Sequence, residues 1–141
     1  MMKKIVSSLS VVALLLVCLL TTGCQPAAPE TTGIWADATY TEDTTLGEGA
    51  KTLTVVVGAE DKEVTFTIKT DKETVGAALV EVGIVEDADG DGLFTVANGM
   101  TADYNVDQTY WAFYENDAYA NQGMNDTAIA DGVTYKLVRS K

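Results

Sequence analysis

The sequence predicts an α+β domain: a mixed, β-grasp-like sheet with one main helix packed across it. Three observations carry this. Leu53, Val55 and Val57 share one parity, and so do Val64, Phe66 and Ile68, the two-residue period of half-buried strands. The period then switches, with Val75, Ala78, Leu79 and Val82 at i, i+3, i+4 and i+7, the stripe of an amphipathic helix. The remainder breaks into short strand-like runs joined by the turn pairs Asn98-Gly99, Asn116-Asp117 and Asp131-Gly132.

The chain opens with Lys3 and Lys4, an apolar run over residues 11–20, and then Leu20-Thr21-Thr22-Gly23-Cys24. Ten apolar residues fall short of the roughly 20 that span a bilayer, so residues 1–23 read as a signal peptide. Its last positions resemble the lipobox of bacterial lipoproteins. That resemblance implies diacylglycerol on the Cys24 sulfur, cleavage after Gly23, and a lipid-anchored, extracytoplasmic protein whose first partner is the membrane. An ordinary secretory signal with an incidental cysteine is the alternative. Residues 24–33 carry both prolines, Pro26 and Pro29, and little that is apolar, as a tether between lipid and domain does.

The domain occupies residues 34–141. Ile34, Ala36, Ala38 and Tyr40 alternate with Trp35 on the other parity, which suggests an extended segment. Residues 43–51 are polar and contain glycine, so they read as loop. Two strands follow, joined across residues 58–62 as a hairpin. Thr70 and Glu73 have capping-box spacing, which starts the helix near residue 72 and runs it to 82, with Gly83 suited to its end. Residues 93–97 form a short strand before Asn98-Gly99. Residues 110–115 form an aromatic strand that turns back at Asn116-Asp117, and residues 133–138 close the sheet.

Composition excludes several functions. There are 21 acidic residues against 9 basic ones, no histidine, and a net charge of −12 over 141 residues. Histidine-dependent triads and metal sites have no ligand here, and nucleic acid meets no basic footprint. Cys18 would leave with the signal peptide and Cys24 would become a thioether, so the mature chain would hold no thiol and no disulfide. Acids are plentiful, yet nothing singles out a catalytic pair of the kind glycosidic chemistry needs. The expectation is that the protein is not an enzyme.

From about Trp35 to Val138 the chain resembles bacterial lipoprotein domains related to the C-terminal domain of transcobalamin and intrinsic factor. The resemblance rests on Trp35-Ala36-Asp37-Ala38-Thr39-Tyr40, Leu46-Gly47-Glu48-Gly49, and Ile68-Lys69-Thr70-Asp71 leading to Ala77-Ala78-Leu79. Its most specific parts are Asn98-Gly99 with Ala102-Asp103-Tyr104, and Tyr110-Trp111-Ala112-Phe113-Tyr114. Ala118-Tyr119-Ala120 with Gly123, and Asp131-Gly132 with Tyr135, complete it. Asn116-Asp117 departs from the Asn-Gly or Asp-Gly common at that turn, and aspartate enters the left-handed region less readily than glycine. The family is largely of unknown function. In transcobalamin-like proteins the small domain closes over a corrinoid held by a separate helical domain, so the resemblance implies cobalamin or a comparable flat molecule as ligand.

Two clusters are candidates for recognition. Along residues 110–115, Trp111 and Phe113 share one face, expected to be core, while Tyr110, Ala112 and Tyr114 share the other. Tyr104, Tyr110, Trp111, Tyr114 and Tyr119 are the expected ligand-binding set, since amphipathic rings with hydroxyl tips suit a flat, polar-edged ligand. The same rings could dock an envelope protein, or simply cover the sheet. Asp87, Asp89 and Asp91, ahead of Gly92, reproduce the first half of a calcium loop. The twelfth position is Asn98 where that loop needs glutamate, and residue 93 begins a strand where it needs a helix. The expectation is therefore an acidic turn and no resident metal or cofactor.

Overall fold

The computed structural model describes residues 33–87, 90 and 93–141. The expected signal peptide, the Cys24 lipidation site, nearly all of the tether, and Asp89 and Asp91 lie outside the described residues.

The chain folds into a six-stranded mixed sheet with one main helix, the α+β architecture expected. β1 (Thr44–Gly47), β2 (Lys51–Ala59), β3 (Lys62–Thr70), β6 (Tyr110–Glu115), β7 (Ala118–Tyr119) and β8 (Thr134–Ser140) stand in the order β1-β3-β2-β8-β6-β7. The last strand lies in the middle, parallel to β2 and antiparallel to β6. That central parallel pair, with the β2–β3 hairpin on one flank and β6–β7 on the other, is β-grasp-like. A separate ribbon pairs β4 (Val96–Ala97) with β5 (Met100–Thr101).

The two predicted strands pair in the register their periodicity implies: Leu53 opposite Ile68, Val55 opposite Phe66, Val57 opposite Val64. All six are buried. Their connector is tighter than expected, because pairing continues to Ala59 and Lys62 and leaves Glu60 and Asp61 to turn the chain. Glu60 takes a left-handed φ of 51° to do so.

The helix α1 (Val75–Glu81) lays Val75, Ala78 and Leu79 on the sheet, with Val82 packed at its end. Its start differs from the expected capping box. Thr74 is the cap, its hydroxyl accepting from the Ala77 N–H at 3.3 Å. Thr70 is fully buried, and its hydroxyl donates to Glu81 at 2.8 Å, at the far end of the helix. The same hydroxyl accepts from the Lys72 N–H at 3.0 Å, but Thr70 is the last residue of β3, so the chain is still leaving the sheet there and the helix cap falls at Thr74 instead.

Two segments outside the strongest patterns differ from expectation. The segment beginning at Gly33 is a 3-10 turn (Gly33–Asp37), not an extended strand. It exists to seat Trp35, which is buried and donates its indole N–H to the Ala59 carbonyl at 2.8 Å. Within the expected loop over 43–51, β1 pairs parallel to β3 as an edge strand. Its threonines carry no apolar alternation, so only its pairing reveals it. Beyond it Gly49 passes so close to β3 that a Cβ would lie 2.2 Å from the Thr70 carbonyl carbon.

Asn98 and Gly99 turn β4 into β5 with φ of 51° and 80°. The Asn98 side chain also accepts from Tyr40 N–H at 2.9 Å and donates to Tyr40 C=O at 2.8 Å, clasping residues 38–40 to the ribbon. At the departing turn, Asn116 and Asp117 both adopt left-handed φ, 46° and 67°. The aspartate thus takes the conformation that glycine more often supplies.

Candidate ligand-binding surfaces

Alternation along β6 sends its aromatic rings to opposite faces of the sheet, as a pleated strand must. Trp111 and Phe113 point inward and are buried. Phe113 stacks on Tyr135 with centroids 6.0 Å apart, and the Trp111 indole N–H donates to the Thr95 carbonyl at 3.0 Å. Tyr110 and Tyr114 point outward, and Tyr114 meets Tyr119 of β7 edge-to-face at 5.4 Å. Tyr110 is 38 % exposed and Tyr119 62 %.

The five expected binding residues therefore do not form one surface. Tyr110, Tyr114 and Tyr119 belong to the outward face. Trp111 belongs to the inward one. Tyr104 opens a short helix, α2 (Tyr104–Asp107), and is exposed on it beside Val106. That helix is capped by Asp103, whose carboxylate accepts from the Asn105 N–H at 2.9 Å.

Trp111 helps to line a cleft of about 370 Å³ at the end of the inward face, and Tyr119, on the edge strand β7, borders that cleft as well as the outward face. Phe94, Phe113 and Met124 supply its apolar wall, Leu93 lies at it, and Asn121 and Gln122 give it a polar edge. Leu93 is 79 % exposed. Sequence reading placed Leu93 and Phe94 in a strand; here they precede β4. Met124 sits in a 3-10 turn (Met124–Asp126). An apolar Leu-Phe pair directly after an acidic turn was the available signal, but periodicity assigned it to a sheet that begins only at Val96.

A larger cavity, about 530 Å³, lies over the start of α1 and is lined by Lys72, Thr74, Glu81, Asp87 and Asn125 among others. The Asn125 amide donates to Asp87 at 3.0 Å. Among the described residues, no three acidic or cysteine side chains converge as metal ligands.

Near α2, Asp107 accepts from the Thr109 hydroxyl and from Arg139 at 2.7 Å. The Thr109 hydroxyl foremost, then its backbone N–H and the Arg139 charge, hold the Asp107 carboxyl below its ordinary value against some desolvation. Arg139 also donates to the Thr101 carbonyl at 2.9 Å, tying β8 to the β4–β5 ribbon.

On the outward face the strand registers set side chains in rows across the sheet. Thr45, Thr67, Thr54 and Thr134 stand opposite one another on β1, β3, β2 and β8. The next row runs Thr65, Val56, Lys136, Tyr114, Tyr119. Lys136 pairs with Glu63. Both α1 and the core turns pack on the other face of the sheet.

The chain matches no protein-family model and no curated relative. Among solved structures it is similar to a protein of Ruminococcus gnavus ATCC 29149 described as a "putative metal binding protein". The two are 25% identical with a TM-score of 0.59, over 65% of this chain and 98% of that one.

Proposed function

We propose that this protein is a non-catalytic binding module, held outside the cytoplasm by a lipid on Cys24, whose ligand enters the cleft beside Trp111. The carrying observation is the cleft itself: Phe94, Trp111, Phe113 and Met124 make an apolar wall with a polar edge from Asn121 and Gln122. That is the composition of a small-molecule site. A volume of about 370 Å³ is near the lower end of ligand pockets, about 300–1,000 Å³. A corrinoid, the ligand class that the transcobalamin-like resemblance implies, would insert one edge here and leave most of its surface for a second component. The non-catalytic reading rests on the absence of histidine from the sequence and on a mature chain without a thiol.

Isothermal titration of the detergent-solubilised full chain with cobinamide and cobalamin tests this. Binding should be weakened by Phe94→Ala, which trims the cleft wall. No heat with either corrinoid would remove that ligand class.

The description of the R. gnavus neighbour favours a second reading, a cation near Asp87. It predicts a calcium-dependent rise in melting temperature that Asp87→Ala abolishes. An unchanged melting curve in millimolar calcium would dismiss it.

A further inference from the structure

We propose that the outward face of the sheet is a docking platform for an uncharged polysaccharide, which lies across the strands along the threonine row and stacks on Tyr114 and Tyr110.

The first argument is charge. The chain carries 21 acids, yet Glu63 is the acid among the described strand positions of this face, and Lys136 neutralises it. Lys69 is the remaining charge in its rows. Strand positions disfavour Asp and Glu in general; the result here is a nearly neutral face, which an uncharged partner can cover without burying unpaired charge.

The second argument is chemistry. Thr45, Thr67, Thr54 and Thr134 form a straight row across four neighbouring strands, about 14 Å long at the usual strand spacing. Thr52 and Thr65 flank it. Each hydroxyl both donates and accepts, as sugar hydroxyls require. Tyr114 stands beside the end of that row and is braced by Tyr119. Tyr110 continues the same face and is exposed. Such rings offer flat apolar faces to the C–H side of a sugar, with a hydroxyl at the edge.

Other partners fit less well. Protein hot spots favour Trp and Arg with Tyr and disfavour Thr, Ser and Val, which dominate here. A membrane surface would call for clustered lysine and arginine, and nucleic acid for more. The platform touches the Trp111 cleft at Tyr119, while its threonine row, Tyr110 and Tyr114 lie outside that cleft, so it does not depend on what the cleft takes.

The test is co-sedimentation of the detergent-solubilised full chain with microcrystalline cellulose and with chitin, both uncharged. Retention on at least one polymer is expected. Retention should fall about tenfold, equivalent to about 1.4 kcal/mol, in Thr54→Glu/Thr67→Glu and again in Tyr110→Ala/Tyr114→Ala. The melting temperature of each variant, measured alongside, confirms that it is folded; Tyr110→Ala alone replaces the tyrosine pair if that variant is not. Phe94→Ala should bind the polymer normally. No retention on either polymer overturns the proposal, as does retention that ignores the face variants or is lost in Phe94→Ala. A concentration-dependent dimer abolished by Thr54→Glu/Thr67→Glu would also overturn it and assign the face to a second copy of the chain.

Discussion

Asn98 is 1 % exposed and holds four hydrogen bonds at a left-handed φ of 51°. Its N–H donates to Ile84 C=O at 2.6 Å, and its C=O accepts from Thr39 N–H at 2.9 Å. Its side chain closes the two-bond clasp on Tyr40. Substitution by glycine keeps the backbone bonds and permits the φ, but leaves both Tyr40 main-chain groups unpaired. An unpaired buried group costs about 1–3 kcal/mol. Tyr40 is half-buried, so water recovers part of this and the low end applies. With about 0.5–1 kcal/mol for glycine's extra unfolded freedom, Asn98→Gly should cost about 2–3 kcal/mol. Asn98→Ala loses the same bonds and escapes glycine's entropic cost, but holds its Cβ in the left-handed region at about 1–2 kcal/mol, for a total of about 3–4 kcal/mol. Urea denaturation followed by tryptophan emission measures both, since Trp35 and Trp111 are buried. The midpoints should order wild type, Gly, Ala, at constant m. Alanine equal to glycine would refute the strain argument. Glycine within about 0.5 kcal/mol of wild type, the range of inert surface changes, would refute the clasp.

Two further outcomes follow from the same reasoning. Because folding lowers the Asp107 pKa below 3.8, that carboxylate contributes stability at neutral pH. The contribution is lost as pH falls from the unfolded-state value through the folded one. Asp107→Asn should therefore flatten the acid limb of the melting temperature, and an unchanged limb would show that the Thr109 and Arg139 contacts are not maintained in solution. Gly49→Ala, whose Cβ would meet the Thr70 backbone at 2.2 Å, should cost about 1–3 kcal/mol by overpacking. The control Gly123→Ala, at φ −70° with nothing within 4 Å of its Cβ, should stay within about 0.5 kcal/mol; equal melting temperatures for the two would dissolve the close-approach argument.

The parts of the fold legible in the sequence are those where one face is buried and the other wet. β2, β3 and α1 each write that contrast as a period, and the core residues they predict are buried, Val82 at the helix end only partly. β1 has no such period. It is an edge strand whose Thr44 and Leu46 are only half-buried, so its polarity hides it, and its parallel partner lies some twenty residues away. The segment containing Trp35 alternates by coincidence, and a single indole hydrogen bond to β2 outweighs the pattern. The helix start differs for a related reason. A capping box is a local signal, and here pairing with β2 keeps Thr70 in β3, so the helix waits for Thr74.

The candidate sites follow the same logic at the level of one strand. Grouping Trp111 with the tyrosines treats β6 as a bag of aromatic residues. The pleat does not, and hands each ring to one of two surfaces that differ in chemistry. Inward, the rings meet Phe94 and Met124, which arrive from irregular segments with no period to read, so the cleft was invisible in the sequence. Outward, the rings join threonines from four strands whose alignment depends on registers that only pairing fixes. The row existed in the sequence as the polar half of each alternation, the half ordinarily set aside as solvent-facing. On that half the acid among the described strand positions, Glu63, is paired with Lys136, so threonine hydroxyls and tyrosine rings face outward with little net charge, and that is why the outward face, not just the cleft, merits direct binding measurements.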